Sequence, residues 1–181
     1  MIRTFLAFPI HFNSYLSLTF DILKKILSNE KIKFVDPNNL HITIHFFGNL
    51  TKHEIDNLIK VFEPLKFNKI KTFVESYFVF NIEKYPSVVG IKLFLSPELE
   101  LLVNKFHQTI KKLNYELDNR KFVPHVTYGR VKNYFNISSY KKLLAYELNK
   151  EEIILNKVCL YKSTLTPHGP IYEKLWTKEL L

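Results

Sequence analysis

The sequence predicts an α+β fold with two pseudo-symmetric lobes, each an antiparallel sheet with helices on its outer face, around a central cleft. Two observations support this prediction. The order strand, helix, short extended piece, His-x-Thr strand, helix, strand occurs twice along the chain. No Gly-, Ser- or Pro-rich linker separates the two halves of the 181 residues. We therefore expect one bilobal domain over residues 1–181 with interleaved lobes.

The first half of the chain supplies one copy of this order. An apolar strand is predicted over residues 2–8, and apolar side chains at helical spacing predict a helix over 14–27. An extended piece at 34–35 and a turn at 36–39, rich in Asp, Pro and Asn, precede a strand over 41–48. Thr51 followed three residues later by Glu54 is a capping box, which predicts a helix to about residue 63.

The second half supplies the other copy. Aromatic and β-branched residues predict strands over 69–82 and 88–94. Ser96, Pro97 and Glu98 are typical of a helix start, and an apolar stripe continues to residue 113. A strand over 125–130, a helix over 137–148, a strand over 153–161, a loop over 164–170 and a strand over 171–177 complete the prediction.

Composition limits the class of protein. Hydrophobic residues make up 46% and charged residues 24%, the balance of a soluble globular protein. No apolar run approaches the roughly 20 residues of a membrane span, and the N-terminus lacks a signal peptide, so we expect a cytoplasmic protein with no membrane partner. Cys159 is alone, which excludes an internal disulfide and indicates a reducing compartment. The net charge of +9 fits a polyanionic partner such as RNA.

Two of the predicted strands carry the pattern His-x-Thr. Side chains at positions i and i+2 of a strand share a face, so His41 points with Thr43, and His125 points with Thr127. An imidazole accepts or donates a proton near neutral pH, and a hydroxyl one pleat along can hold an oxygen anion. Two such pairs facing one cleft would grip a phosphate from both sides and supply both an acid and a base.

Five segments of the chain, two of which contain the His-x-Thr patterns, are informative when taken together. These are RTFLAFP from Arg3, VDPNNLHITI from Val35 with FFG ending at Gly48, FVPHVT from Phe122 with Arg130, LYKS from Leu160, and GPIY from Gly169. Over nearly its whole length the chain resembles the 2H phosphoesterases, in particular their RNA 2′,3′-cyclic phosphodiesterase branch, once called 2′-5′ RNA ligases. The resemblance implies hydrolysis of RNA 2′,3′-cyclic phosphate ends to 2′-phosphates by a monomer without cofactor or metal. It leaves a 2′-5′ ligase activity open.

The resemblance also implies roles for individual residues. His41 would be the proton donor and His125 the proton acceptor, an order that the residues alone do not settle. Thr43 and Thr127 would hold the non-bridging oxygens of the phosphate.

Three further residues are expected to bind substrate. Arg130 would bind the phosphate, Phe47 would stack on a base, and Tyr172 would form a wall of the cleft. Strict alternation places Arg130 on the face opposite His125, so its reach requires a twist or bulge near Gly129.

Other readings of the same residues stay open. A zinc hydrolase would use His41 and His125 with His45, which alternation places on the same strand face as His41. Neither motif contains an acidic residue, and His45 lies about 13 Å along the strand from His41, which opposes this. A non-catalytic RNA-binding domain would need neither histidine. A third reading is a phosphodiesterase of the same superfamily that acts on another cyclic phosphodiester. The expected phosphate contacts of a bound RNA are Lys24–Lys25, Lys111–Lys112 and Lys141–Lys142.

Overall fold

The computed structural model describes residues 1–80, 88–118, 120–132, 136–167 and 169–181. Strands and helices are interspersed along these residues, with one 3-10 turn at Pro37–Asn39. The elements are β1 (Ile2–Pro9), α1 (Ser14–Ile26), β2 (Ile32–Phe34), β3 (His41–Leu50), α2 (Lys52–Phe62), β4 (Ile70–Phe80), β5 (Val88–Leu93), α3 (Pro97–Lys112), β6 (His125–Val131), α4 (Ile137–Leu144), β7 (Glu152–Leu155), β8 (Lys157–Thr166) and β9 (Gly169–Glu179).

The strands form two antiparallel sheets. The first sheet has the order β3-β1-β8-β9 and the second the order β2-β6-β5-β4-β7. Helix α3 contacts both sheets: it packs against β4 of the second sheet, and His107 Nε2–H donates to the Ile44 carbonyl of β3 in the first. Helix α1 follows β1 of the first sheet but packs against the second, since the Thr19 and Tyr128 hydroxyls hydrogen-bond at 2.8 Å. The predicted α+β fold with two antiparallel sheets is confirmed.

The helix starts agree with the local sequence. The Thr51 hydroxyl accepts from the Glu54 amide at 3.3 Å, and the Glu54 carboxylate accepts from the Thr51 amide at 2.7 Å, so both halves of the capping box form. The Ser96 hydroxyl accepts from the Leu99 amide, and Pro97 occupies the first helical position. Asp36 caps the 3-10 turn through the Asn38 amide at 2.9 Å. Helix α4 ends four residues earlier than predicted, at Leu144.

Two predictions near the C-terminus are wrong. The predicted strand over 153–161 is two strands, because the chain leaves the second sheet after Leu155 and enters the first at Lys157. The predicted loop over 164–170 belongs to a β-hairpin that joins β8 to β9, and Gly169 has a φ of 140° at its turn. Residues Asn81 and Ile82, the predicted end of β4, lie outside the described residues.

The main hydrophobic core lies between the sheets and the helices, and a smaller cluster covers the other face of the first sheet. The smaller cluster contains Phe5, Ala7, Cys159 and Tyr161, with Tyr172 packed against it. This second face lines the cleft. Within the described residues, no helix is long and apolar enough to cross a membrane.

Candidate active site

The two His-x-Thr strands meet at the cleft. Strands β3 and β6 belong to different sheets and are in contact. His41 and Thr43 are half-buried on β3 around the fully buried Ile42, and His125 and Thr127 have the same pattern on β6. The structure thus brings together the four residues that the sequence singled out.

The two imidazoles are held in the same way. His41 Nδ1 lies 2.7 Å from the carbonyl oxygen of Asn39, and His125 Nδ1 lies 2.8 Å from that of Val123. A carbonyl only accepts, so each Nδ1 carries the hydrogen and donates it. This fixes the neutral tautomer that leaves Nε2 unprotonated. In both residues Nε2 is therefore the ring nitrogen that can accept or donate a proton.

Aromatic rings fix the imidazole planes. The His41 ring lies 5.0 Å from Phe5 and 5.4 Å from Tyr172, and the contact with Tyr172 is edge-to-face at 86°. The His125 ring lies 5.1 Å from Phe78 and 5.0 Å from Phe80. Each imidazole is therefore restrained by one carbonyl and two rings.

Burial lowers the pKa of both histidines. Desolvation is the largest cause at His41; the Asn39 carbonyl opposes it, and the positive charges of His125 and Arg130 lower the pKa further. At His125, desolvation again lowers the pKa, the Val123 carbonyl raises it and Arg130 lowers it. Without an anion in the cleft, both imidazoles favour the neutral form. A bound phosphate dianion or monoanion would raise both pKa values, because an opposite charge favours the protonated state.

A β-bulge brings Arg130 to the cleft. Val89 pairs with Gly129 and Gly90 pairs with Thr127, so Tyr128 is the additional residue on β6. Arg130 then lies opposite Val88, which shares a face of β5 with Gly90 and hence with Thr127. The exposed guanidinium is close enough to lower the pKa of His41. The bulge that the sequence required near Gly129 is present.

Two bulges on β3 change the face of the residues after Thr43. Thr43 pairs with Ala7 but His45 pairs with Leu6, which places His45 on the core face, where it is buried. The expectation that His45 shares the face of His41 is therefore wrong. Burial lowers the pKa of His45 to about 4.

The first bulge also exchanges the faces of the two phenylalanines of the motif. Phe46 lies opposite Phe5 on the cleft face, with ring centroids 5.6 Å apart, and is 60% exposed. Phe47 packs on the other side, 4.6 Å from His45 and 5.4 Å from Tyr115. The structure does not bring Phe47 into the cleft, so the prediction that it stacks on a base is corrected: Phe46 has the exposed ring. Alternation along the sequence could not identify Phe46, because it assumes an unbroken strand.

Tyr172, which was expected to form a wall of the cleft, lies beside His41. Its ring is 4.9 Å from Phe5, and its pKa is raised by burial and lowered by Arg130 and Arg3. The tip of the β8–β9 hairpin is tied down in two places. Asn39 Nδ2 donates to Pro170 O at 3.0 Å, and Lys33 Nζ donates to Pro167 O at 3.1 Å. Sequence analysis missed Asn39, which links this hairpin to the carbonyl that holds His41.

The residues in the cleft do not resemble a metal centre. In the part of the chain that the structure describes, no three His, Cys, Asp or Glu side chains converge as metal ligands would. The zinc hypothesis required His45 beside His41, and the first bulge turns His45 away.

The chain matches known proteins in both sequence and fold. The profile of the LigT-like phosphoesterase family matches residues 8–89 and 93–172. The RNA 2′,3′-cyclic phosphodiesterase of Methanocaldococcus jannaschii is 31% identical over 144 residues, covering 78% of this chain and 81% of the relative. That of Archaeoglobus fulgidus is 31% identical over 156 residues, covering 85% and 87%. The crystal structure of Escherichia coli LigT complexed with 3′-AMP superposes with a TM-score of 0.75 at 17% identity, covering 99% of this chain and 98% of LigT.

Proposed function

Because the chain belongs to the LigT-like phosphoesterase family, we propose that it is an RNA 2′,3′-cyclic phosphodiesterase that uses two histidines and no metal. Several relatives that match most of the chain carry that name. The observation that carries the mechanism is the pair of imidazoles on β3 and β6. Each has Nδ1 engaged by the carbonyl two residues earlier and Nε2 left for a proton.

The proposed reaction needs an acid and a base on opposite sides of phosphorus. His125 Nε2 takes a proton from water as the water oxygen bonds to phosphorus. The bond from phosphorus to the ribose O3′ breaks, and His41 Nε2–H gives its proton to that oxygen. The product is a 2′-phosphate with a free 3′ hydroxyl. Afterwards His125 is protonated and His41 is neutral, and exchange with solvent restores the starting state.

The other cleft residues stabilise charge. The Thr43 and Thr127 hydroxyls donate to the non-bridging oxygens from the two sides of the cleft. The Arg130 guanidinium faces the same region without an acidic partner among the described residues, so its charge is available to the phosphate. Substrate binding raises the pKa of His41, which supplies the protonated acid that the empty cleft disfavours.

The exposed ring of Phe46 is proposed to receive the base of the terminal nucleotide. Its inner face rests near Phe5 and its outer face is open. Every base has a π-face, so stacking here would tolerate any of the four bases. Phe46→Ala should raise KM for a 2′,3′-cyclic nucleotide, whereas Phe47→Leu on the opposite face should leave KM near the wild-type value.

Phosphorus NMR of the products tests the proposal directly. A 2′,3′-cyclic nucleotide incubated with the protein and a chelator should give the 2′-phosphate. His41→Ala and His125→Ala should each lose about 10²–10⁴ in rate while remaining folded. Loss of activity on chelation would contradict the metal-free mechanism, and a 3′-phosphate as the main product would reverse the roles of the two histidines.

The same variants separate catalysis from RNA binding. If the protein were only an RNA-binding domain, the double variant His41→Ala, His125→Ala would bind RNA as the wild type does, and the wild type would leave the cyclic phosphate intact. On the proposed mechanism the double variant should lose far less than the product of the two single losses, because each imidazole depends on the other.

A further inference from the structure

The basic residues on the strands divide into two groups. One group forms ion pairs with acidic residues at 2.7 to 3.8 Å: Lys71, Lys92, Lys157, Lys162 and Lys178. The other group has no acidic partner in the part of the chain that the structure describes: Arg3, Lys33, Arg130 and Lys174. Positive charge that is not neutralised within the protein is available to an external anion.

All four residues without an acidic partner lie on the cleft face. Lys33 pairs with Arg130, which shares the face of Thr127 through the β6 bulge. Arg3 lies two residues from Phe5 on β1, and so points the same way. Lys174 lies opposite Tyr161, which lies opposite Phe5. The ion-paired Lys162 pairs instead with Thr4, on the other face of the first sheet.

The four cations are divided between the two sheets that line the cleft. Arg130 pairs with Lys33 on the second sheet. Its charge lowers the pKa of both histidines, so it is close to the place proposed for the reacting phosphate. Arg3 and Lys174 lie on the first sheet, on β1 and β9. The charges of both Arg130 and Arg3 lower the pKa of Tyr172, so this ring lies within reach of cations from both sheets.

Cations on either side of aromatic rings match the chemistry of a single-stranded nucleic acid. Proteins that bind single strands combine a positive groove for the backbone with aromatic rings for the bases. Here the exposed Phe46 and the half-buried Tyr172 supply the rings. A mononucleotide would occupy only the Arg130 end and would leave Arg3 and Lys174 without an anion.

We propose that Arg3 and Lys174 bind the internucleotide phosphate that precedes the cyclic end, so that the preferred substrate is an oligonucleotide rather than a free cyclic nucleotide. This inference rests on the proposed phosphodiesterase activity and assigns a second phosphate site to the same cleft. The expected RNA contacts of the helix lysines stay a prediction, and one of these lysines already has an acidic neighbour. Lys24, one of the expected helix lysines, pairs with Asp21 at 3.6 Å and lies 4.5 Å above the Phe20 ring.

The test compares two substrates that differ by one nucleotide or more. The kcat/KM values are measured for a 2′,3′-cyclic mononucleotide and for a short RNA that ends in the same cyclic nucleotide. Arg3→Gln and Lys174→Gln should each lower the ratio of the RNA value to the mononucleotide value by about fivefold, the effect of one exposed charge near a phosphate. In the double variant, the slope of log KM for the RNA against the logarithm of the salt concentration should become shallower by about 0.7. This is the value for one phosphate contact on a single strand.

A matched variant controls for loss of surface charge. Lys162→Gln removes one positive charge from the same sheet but from the opposite face, so its substrate ratio should equal that of the wild type. Arg3→Lys should restore most of the ratio lost in Arg3→Gln. The second phosphate site would be overturned if Arg3→Gln and Lys174→Gln lowered kcat/KM equally for both substrates. It would also be overturned if Lys162→Gln lowered the substrate ratio as much as they do. The wild-type rate on the mononucleotide judges the phosphodiesterase proposal separately, because that substrate has no internucleotide phosphate.

Discussion

Gly90 is the position where a single methyl group should damage the active site most. It lies on β5 directly opposite Thr127 of β6. A Cβ atom added at Gly90 would lie 2.0 Å from the Val126 carbonyl oxygen and 3.0 Å from the Tyr128 amide nitrogen. Contacts below 3.0 Å do not occur at real Cβ atoms, so Gly90→Ala must separate the two strands by about 1 Å. The contacting atoms are backbone, so no rotamer change relieves the overlap.

The displaced strand carries one half of the proposed catalytic pair. A shift of about 1 Å at catalytic groups costs about 10² in rate, and overpacking costs about 1–3 kcal/mol in stability. We therefore expect Gly90→Ala to lower kcat/KM for a 2′,3′-cyclic nucleotide by about 100-fold. The melting temperature should fall by about 2–4 °C for each kcal/mol lost.

A second glycine provides the control. Gly129→Ala adds a Cβ that meets the Ile32 side chain at 2.5 Å, with the nearest backbone atom, the Lys33 carbonyl oxygen, at 3.3 Å. Ile32 lies on the edge strand β2, which can move away from β6 more easily than the central strands can separate, so this variant should lose much less activity than Gly90→Ala. Activity is measured well below both melting temperatures, so that unfolding does not contribute. If Gly90→Ala is folded and its kcat/KM stays within about threefold of the wild type, this account of the strand spacing is refuted.

Three further predictions concern the charges and contacts around the site. Arg130→Gln removes a positive charge that lowers the pKa of His41 and His125, so both limbs of the bell-shaped profile of kcat/KM against pH should move to higher pH. If neither limb moves, the guanidinium is too far from the two imidazoles to affect their pKa values. Asn39→Ala releases the β8–β9 hairpin but keeps the carbonyl that holds His41, so kcat should fall while the pH profile keeps its shape, and Asn39→Gln should not restore it. The pKa of His45 is about 4 in the folded state, whereas a solvent-exposed histidine, as in the unfolded chain, has a pKa of 6.5. The unfolded state therefore binds more protons between these two pH values. The free energy of unfolding should then decrease by about 3 kcal/mol as the pH falls from 6.5 to 4, and urea titrations of His45→Gln should show a flatter dependence.

Local chemistry predicted most of the elements. The capping box at Thr51 and the Ser96–Pro97 start specified two helices, because both signals satisfy backbone groups within a few residues. The division of the predicted strand at Asn156 was missed for a different reason. Both pieces alternate as strands do, and only the packing of the whole chain decides that one joins the second sheet and the other the first.

The resemblance and the strand pattern together predicted the centre of the site but not its edges. Tyr172 is separated from His41 by most of the chain, so local sequence patterns could not predict that the two rings are in contact. Asn39 carried no signal, because an Asn in a turn is ordinarily explained by its own backbone contacts. Its link to Pro170 depends on a hairpin that the sequence indicated as a loop.

The limit of the sequence prediction lies at the bulges. A side chain's face follows from its position in a strand only while pairing advances one residue at a time, and each bulge reverses every assignment after it. His41 and Thr43 precede the first bulge of β3, and Thr127 precedes the bulge of β6, so alternation placed them correctly. Beyond the bulges it placed Phe47 in the cleft and Arg130 outside, and the structure has the opposite arrangement. The positions of the proposed acid, base and hydroxyls therefore follow from alternation along each strand. The positions of the residues proposed to bind the rest of the nucleotide depend on β-bulges, which are visible only in the pairing with the neighbouring strand.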